Sequence, residues 1–234
     1  MDISIHQPQY LPWISYFTKI EHSDLFIFLD SVDFQKNGLQ NRSQIKTQQG
    51  REWLTVPVQQ RLGQKINEVE IASGSQWRRK HWEKIQHSYR KANSFKTFEK
   101  EISTIFSREW LELSELNIYC IDLILELLEI NTPIIKSSQM KASGHSSDLV
   151  LNLCKEAGAS RYISGIGGKN YLKVGDFEDA GIEIIYHAPD LPEPYPQTFP
   201  QVDFFSDLSV IDILFNCGAT WRDHIPRKVR SIEN

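Results

Sequence analysis

The side chains best suited to chemistry lie near the start of the chain. His6 follows a short β-branched segment, residues 3–5, and opens the stretch His6-Gln7-Pro8-Gln9-Tyr10-Leu11-Pro12-Trp13. Pro8 and Pro12 restrict φ and cannot donate ladder hydrogen bonds, so the backbone between them should be stiff and extended. A histidine placed there can act as a general base or as a donor to a phosphate or carbonyl group. A purely structural histidine is the alternative.

A second polar segment, residues 30–42, follows the apolar run 25–29 and contains two acids, two bases and four amides. Asp30, directly after the apolar run, could bind a ribose hydroxyl, an amine or a metal ion. Lys36 and Arg42 could hold a phosphate, because cationic side chains pair well with phosphate oxygens. Lys46, further along, is interpreted as a solvated charge.

A third candidate is the glycine-rich stretch that begins at Ser164. It reads Ser164-Gly165-Ile166-Gly167-Gly168-Lys169-Asn170-Tyr171 after a predicted strand. Glycines allow backbone N–H groups to approach an anion, and we expect at least one of them to need a positive φ. The stretch lacks the spacing and the GK[ST] ending of a Walker motif and does not match a dinucleotide fingerprint. A tight turn without a ligand is the alternative.

The elements around these residues predict an α/β fold. A strand at residues 3–5, a helix at 14–20 and a buried strand at 25–29 form the beginning of a parallel α/β unit. A strand is predicted at 53–58, strands at 161–164 and 182–186 continue the pattern, and residues 75–130 read as an inserted helical segment. We therefore expect one α/β domain over residues 1–234, with a mostly parallel Rossmann-like sheet. Ligands of such sheets bind at the carboxyl ends of the strands.

One helix of the inserted segment, residues 77–92, is strongly basic. Trp77, His81 and Ile85 recur on one face at helical spacing, while the cationic residues cover the rest of the surface. A solvated positive face over an aromatic seam is the simpler interpretation. The alternative is a platform for a phosphorylated substrate.

Composition restricts the class of protein. A net charge of −4 and a pI of about 6.0 give no general attraction to nucleic acid or acidic lipid, so neither is expected as a partner.

The three cysteines are odd in number and lie in apolar stretches, which favours a reducing compartment without disulfides. No apolar stretch is long enough for a membrane span, and we expect a cytoplasmic protein. No pair of His or Cys residues has metal-ligand spacing, so no metal site is predicted.

Taken together, the motifs resemble the WbqC-like protein family. The resemblance rests on the opening motif at residues 6–13 and on Tyr16-Phe17, Phe28-Leu29-Asp30, Phe34-Gln35-Lys36-Asn37, Asn41-Arg42 and Lys46. Residues 53–58, 162–168 and 208–218 extend it over nearly the whole chain. Members of that family tend to be encoded beside bacterial O-antigen and sugar-biosynthesis enzymes. The resemblance therefore implies a small-molecule transferase that modifies an amino sugar on a nucleotide carrier with an acyl or aminoacyl group.

Two other functions stay open. The opening strand, His/Pro turn and helix resemble nucleotidyltransferases with an HxGH-type motif, although the second His and the Gly of that motif are missing, with Pro12-Trp13 in their region. An ATP-dependent ligase or nucleotidyltransferase is thus an alternative, as is a non-catalytic binding protein for a nucleotide sugar.

Acyl-CoA and ATP are the cofactors considered. The catalytic candidates are His6 and Asp30, and the substrate-binding candidates are Gln7, Gln9, Tyr10, Trp13, Tyr16, Lys36, Asn37, Asn41, Arg42, Ser164, Gly165, Gly167 and Gly168.

Overall fold

The first apolar segments form a strand, a helix and a second strand, as predicted. The computed structural model describes residues 1–74 and 76–226. Its opening elements are β1 (Asp2–His6), α1 (Ile14–Glu21) and β2 (Leu25–Phe28). The helix begins after Pro12-Trp13, where the extended Trp13 occupies the N-cap position without a side-chain cap.

The polar segment that follows leads into two small antiparallel pairs. The predicted strand around Trp53 pairs with a strand that begins at Arg42. The sequence analysis interprets residues 30–42 as a polar segment and predicts no strand at Arg42. These pairs are β3 (Arg42–Thr47) with β4 (Gly50–Thr55), and β5 (Val58–Gln59) with β6 (Glu70–Ile71).

Three helices follow and form the predicted helical insertion. They are α2 (Trp77–Tyr89), α3 (Phe95–Ser107) and α4 (Leu113–Leu127). The chain then alternates strands and helices through β7 (Ile134–Lys136), α5 (Ser146–Glu156), β8 (Arg161–Gly165), α6 (Val174–Asp179) and β9 (Glu183–His187), and reaches α7 (Val210–Cys217) after a proline-rich crossing. Within the described ranges, no helix has the length and apolar character needed to cross a membrane.

The central sheet has five strands in the order β7-β2-β1-β8-β9. All of its described pairings are parallel, with Ile3 opposite Leu25, Ser4 opposite Ile163 and Gly165 opposite His187. Helices flank this sheet, which confirms the predicted α/β class with a Rossmann-like parallel sheet.

Side-chain alternation divides the core between the two faces of the sheet. Phe26 and Phe28 pack with α1 and α4 in one buried cluster, whereas Ile27 packs with α5 and α6 in another. On β1, Ile3 and Ile5 belong to the second cluster. His6, one residue further, therefore points toward α1.

Candidate functional site

The order of the strands indicates where a ligand would bind. From β1 the chain moves through β2 to β7 on one side of the sheet, and β8 and β9 lie on the other side of β1. The point where the strand order reverses is therefore between β1 and β8. In open α/β sheets, ligands bind in the crevice at the carboxyl ends of the strands at such a point. His6 ends β1 there, and Gly165 ends β8.

The imidazole of His6 is held against α1. Its ring makes an edge contact with Tyr16, with centroids 4.9 Å apart. Nδ1 lies 3.1 Å from the carbonyl oxygen of Gln7; since a carbonyl can only accept, Nδ1 carries the proton and Nε2 is an acceptor. Burial, followed by the charge of Lys19, lowers the pKa of His6 to about 3. The ring is consequently neutral at physiological pH.

Lys19 is a buried amine that the sequence analysis did not select. Only 6% of the residue is exposed, and its Nζ donates to the carbonyl oxygen of Ile5 at 2.9 Å. Burial lowers its pKa to about 7. The described β1–β8 register ends at Ser4, so the Lys19 amine meets β1 just beyond the last paired residue. The reversal point thus holds a neutral imidazole and an amine that titrates near neutrality.

The opening motif contacts the 30–42 segment. Gln40 donates to the side-chain oxygen of Gln7 at 2.7 Å. The amide of Asn117 on α4 joins both segments, because it donates to the carbonyl oxygens of Pro8 and Gln40 at 3.2 and 2.7 Å. Gln7 is thereby fixed beside His6.

Asp30 lies at the carboxyl end of β2 and is only 2% exposed. Its carboxylate accepts hydrogen bonds from the Ser137 hydroxyl at 2.9 Å, and from the backbone N–H and hydroxyl of Ser138 at 2.9 and 2.6 Å. These donors follow β7. Asp30 therefore ties two strand ends together, and we propose it as a positioning group.

The remaining polar residues of the segment support the β3–β4 hairpin. The Asn41 amide donates to the carbonyl oxygen of Val56 at 2.9 Å. Arg42 donates to the carbonyl oxygen of Asn37 and stacks on Trp53 at 4.4 Å. Lys36 and Asn37 are exposed. A phosphate clamp by Lys36 and Arg42 stays a prediction.

The structure changes the interpretation of Lys46 and of Tyr10. Lys46 is 1% exposed, and its Nζ donates to Gln197 Oε1 at 3.2 Å and to the Val202 carbonyl oxygen at 3.1 Å, so the view that it is a solvated charge is wrong. Tyr10 is fully buried, with its hydroxyl 3.0 Å from His81 Nδ1. It belongs to the core, which leaves no exposed ring face for a ligand.

The other residues of the opening motif differ in exposure. Gln9 is 7% exposed, whereas Trp13 is partly buried and forms an isolated bridge with Ser209. The Tyr16 hydroxyl donates to the Gln7 carbonyl at 3.0 Å. Tyr16 is therefore the aromatic residue of this group that contacts His6.

The glycine-rich stretch forms a short 3-10 segment, residues 166–170. None of Gly165, Gly167 and Gly168 has a positive φ, so that expectation is wrong. Gly168 is required for a different reason: a Cβ atom there would lie 2.1 Å from the hydroxyl oxygen of Ser164. A Cβ atom on Gly165 or Gly167 would meet open space.

A separate cleft of about 620 Å³ lies between the β3–β4 hairpin and α2. Its lining includes Lys80, Lys84 and His87 of the basic helix. The Lys84 amine pairs with Glu52 at 2.5 Å across it. This cleft is larger than expected for a solvated face, and its lining comes from the β3–β4 hairpin and α2 rather than from the strand ends of the central sheet.

Burial lowers the pKa of the cleft residue His81 to about 4, but its Nδ1 already lies 3.0 Å from the Tyr10 hydroxyl. We place the candidate site at the strand ends because His6 and Lys19, both with lowered pKa values, lie at the reversal point of the sheet.

Comparison with known proteins agrees with the motifs. The family model described as "WbqC-like protein family" matches residues 7–224. The chain belongs to this family. It is also 32% identical over 226 residues to "Uncharacterized protein Rv1507c" of Mycobacterium tuberculosis (strain ATCC 25618 / H37Rv), covering 95% of this chain and 96% of that protein. No solved structure matches the chain.

Proposed function

We propose that this WbqC-like protein is a small-molecule transferase of bacterial surface-polysaccharide biosynthesis. Its acceptor would be an amino sugar on a nucleotide carrier, and the transferred group an acyl or aminoacyl group. The family resemblance supports the class of substrate. The observation that carries a catalytic role is the placement of both His6 and the buried amine of Lys19, which donates to the Ile5 carbonyl oxygen, at the reversal point of the sheet.

Attack by an amine on an acyl carbon requires a base that removes the amine proton. A base works best when its pKa lies near the working pH. The pKa of about 7 at Lys19 meets that condition, whereas the pKa of about 3 at His6 makes a neutral hydrogen-bonding group. The charge of Lys19 also lowers the pKa of His6, so loss of the Lys19 proton makes His6 more basic.

In this proposal, residues at the ends of different strands have different roles. Nε2 of His6 accepts a hydrogen bond from the acceptor amine. As the amine nitrogen bonds to the acyl carbon, its proton passes to neutral Lys19 and the bond between the acyl carbon and the donor breaks, with the thiolate as leaving group when the donor is acyl-CoA. The carrier phosphates lie against backbone N–H groups of residues 165–168, where Gly167 is exposed and a Cβ atom on Gly165 or Gly167 would meet open space. Asp30 and Gln7 hold the surrounding loops in place.

A two-stage experiment tests the proposal. Thermal-shift screening against nucleotide sugars, acyl-CoA and ATP identifies ligands, because a ligand that binds only the native state raises the melting temperature. Incubation of the stabilising compounds in pairs, followed by mass spectrometry, then detects transfer to the amine. The expected rate increases with pH through about 7 and loses that dependence in Lys19→Met. Binding without turnover for every pair would favour a non-catalytic nucleotide-sugar-binding protein.

An ATP-dependent ligase or nucleotidyltransferase is the second candidate. The strand order, with β1 central and the reversal beside it, is that of nucleotide-binding halves of doubly wound sheets. The same screen separates the two proposals. Stabilisation by ATP with release of AMP or diphosphate supports the second, whereas turnover with acyl-CoA alone supports the first.

A further inference from the structure

Three potential metal ligands meet near the carboxyl end of α1. His22 follows the last turn of α1, His187 ends β9, and Asp190 lies three residues further on. Nε2 of His187 is 3.2 Å from Nδ1 of His22 and 3.1 Å from a carboxylate oxygen of Asp190. All three ligand atoms lie within 4.8 Å of one another.

These separations suit one transition-metal ion. In a tetrahedral zinc site with bonds of ~2.0–2.1 Å, neighbouring ligand atoms are about 3.3–3.4 Å apart. Nε2 of His187 lies near both Nδ1 of His22 and a carboxylate oxygen of Asp190. A single proton on Nε2 can form a hydrogen bond to only one of these two atoms. A cation between the three atoms would be bound by a lone pair from each.

The helix α1 also orients the carboxylate. Ser15, Thr18 and His22 recur at three- and four-residue spacing and so share one face. The Ser15 hydroxyl donates to the Asp190 carbonyl oxygen at 2.8 Å, and the Thr18 hydroxyl bonds to the Asp190 carboxylate. Hydrogen-bonded support of this kind fixes the direction of a ligating carboxylate.

Exposure distinguishes the three residues. The side chains of Asp190 and His187 are 4% and 14% exposed, whereas His22 is an exposed residue. The cluster is thus buried at Asp190 and reaches the protein surface at His22. Three protein ligands with an open fourth position is the arrangement of zinc sites that bind water or substrate.

We propose that His22, His187 and Asp190 form a binding site for one divalent transition-metal ion, with Zn²⁺ as the preferred ion. His187 lies opposite Gly165 in the sheet, and the exposed His22 places the site at the protein surface. The site rests on these three side chains and does not depend on the proposed transferase activity.

Titration of Zn²⁺ into the full chain, freed of metal by a chelator and without a histidine tag, tests the site. Calorimetry should give one Zn²⁺ per chain, and Co²⁺ should give the intense visible bands of a tetrahedral complex. His22→Ala and His187→Ala should each weaken binding by more than ~100-fold, exceeding the 10–100-fold typical of an outer hydrogen-bonding partner. Thr18→Val should fall within that smaller range.

His145→Ala is the matched control, since His145 is an exposed histidine outside the cluster. It should bind Zn²⁺ like the wild type. His22 is exposed, so its variant should fold normally, and circular dichroism checks this. A wild-type chain without 1:1 binding would overturn the proposal. A folded His22→Ala variant with wild-type affinity would also overturn it.

Discussion

Two regions of the molecule are candidate ligand sites, one because of its volume and the other because of its buried titratable groups. The cleft between the β3–β4 hairpin and α2 has a volume of about 620 Å³ and many charges, but Lys84 already pairs with Glu52 across it. The strand ends at β1 and β8 hold His6 and Lys19, whose pKa values are lowered to about 3 and about 7.

The comparison shows that a sizeable cleft and the buried titratable groups His6 and Lys19 lie in different parts of this fold. In the cleft, Lys84 and Glu52 are partly exposed and form an ion pair, so neither of them needs a ligand to offset its charge. Burying Lys19 costs stability that its single described hydrogen bond, to the Ile5 carbonyl, offsets in part. A fold that retains such a cost at the reversal point of its sheet is typical of a functional site.

The largest expected effect comes from removing the pair at the strand ends. Lys19→Met and His6→Gln should each lower turnover by ~10²–10⁴-fold, the usual contribution of acid–base catalysis. Affinity for the nucleotide-bearing substrate should stay within a few fold, as calorimetry would measure. If binding and rate fall together, these side chains are ligand contacts instead.

The buried amine should also make stability depend on pH. Between about pH 7 and pH 10.5 the unfolded chain holds a proton on Lys19 that the folded chain lacks. Stability therefore rises with pH, by up to about 1.4 kcal/mol per unit and by about 2 kcal/mol from pH 7, where Lys19 is half protonated in the folded chain, to pH 9. Urea unfolding of the wild type and of Lys19→Met at these pH values isolates the effect. Parallel pH profiles for the two proteins would contradict it.

A pair of glycine substitutions separates packing from binding. Gly168→Ala should cost about 1–3 kcal/mol, because its Cβ would overlap the Ser164 hydroxyl. Gly167→Ala should cost no stability, since its Cβ meets open space and its φ is not positive. The second variant should still weaken binding of a phosphate-bearing ligand. Normal affinity in Gly167→Ala would reduce this stretch to a structural turn.

The smallest effect is expected in the cleft. Lys84→Met breaks a partly exposed ion pair and should change the free energy of unfolding by at most about 1 kcal/mol. It should leave the ligand-induced rise in melting temperature unchanged. A loss of that rise in Lys84→Met alone would move the site to the cleft.

The sequence predicted the sheet well because hydrophobic period and length determine its strands. The helix at residues 14–20 and the strand at 25–29 lie where expected, and the three inserted helices fill the predicted segment. The β3–β4 hairpin was only half predicted, since Arg42 and Gln44 give its first strand a polar pattern.

Candidate site residues were harder to predict because burial depends on packing. A lysine in a helix ordinarily faces water, and only its three-residue spacing from Tyr16 indicated that Lys19 faces β1. Lys46 is buried by the distant proline-rich crossing, and Asp30 is capped by serines more than 100 residues away. His22 and His187 have no spacing signal at all, because the fold alone brings them together.

A crystal structure with a bound nucleotide sugar tests the central claim most directly. The account predicts that the phosphates lie against backbone N–H groups of residues 165–168, with the amino group of the sugar within hydrogen-bonding distance of His6 Nε2. Phosphates bound instead by Lys80 and Lys84, between α2 and the β3–β4 hairpin, would contradict it.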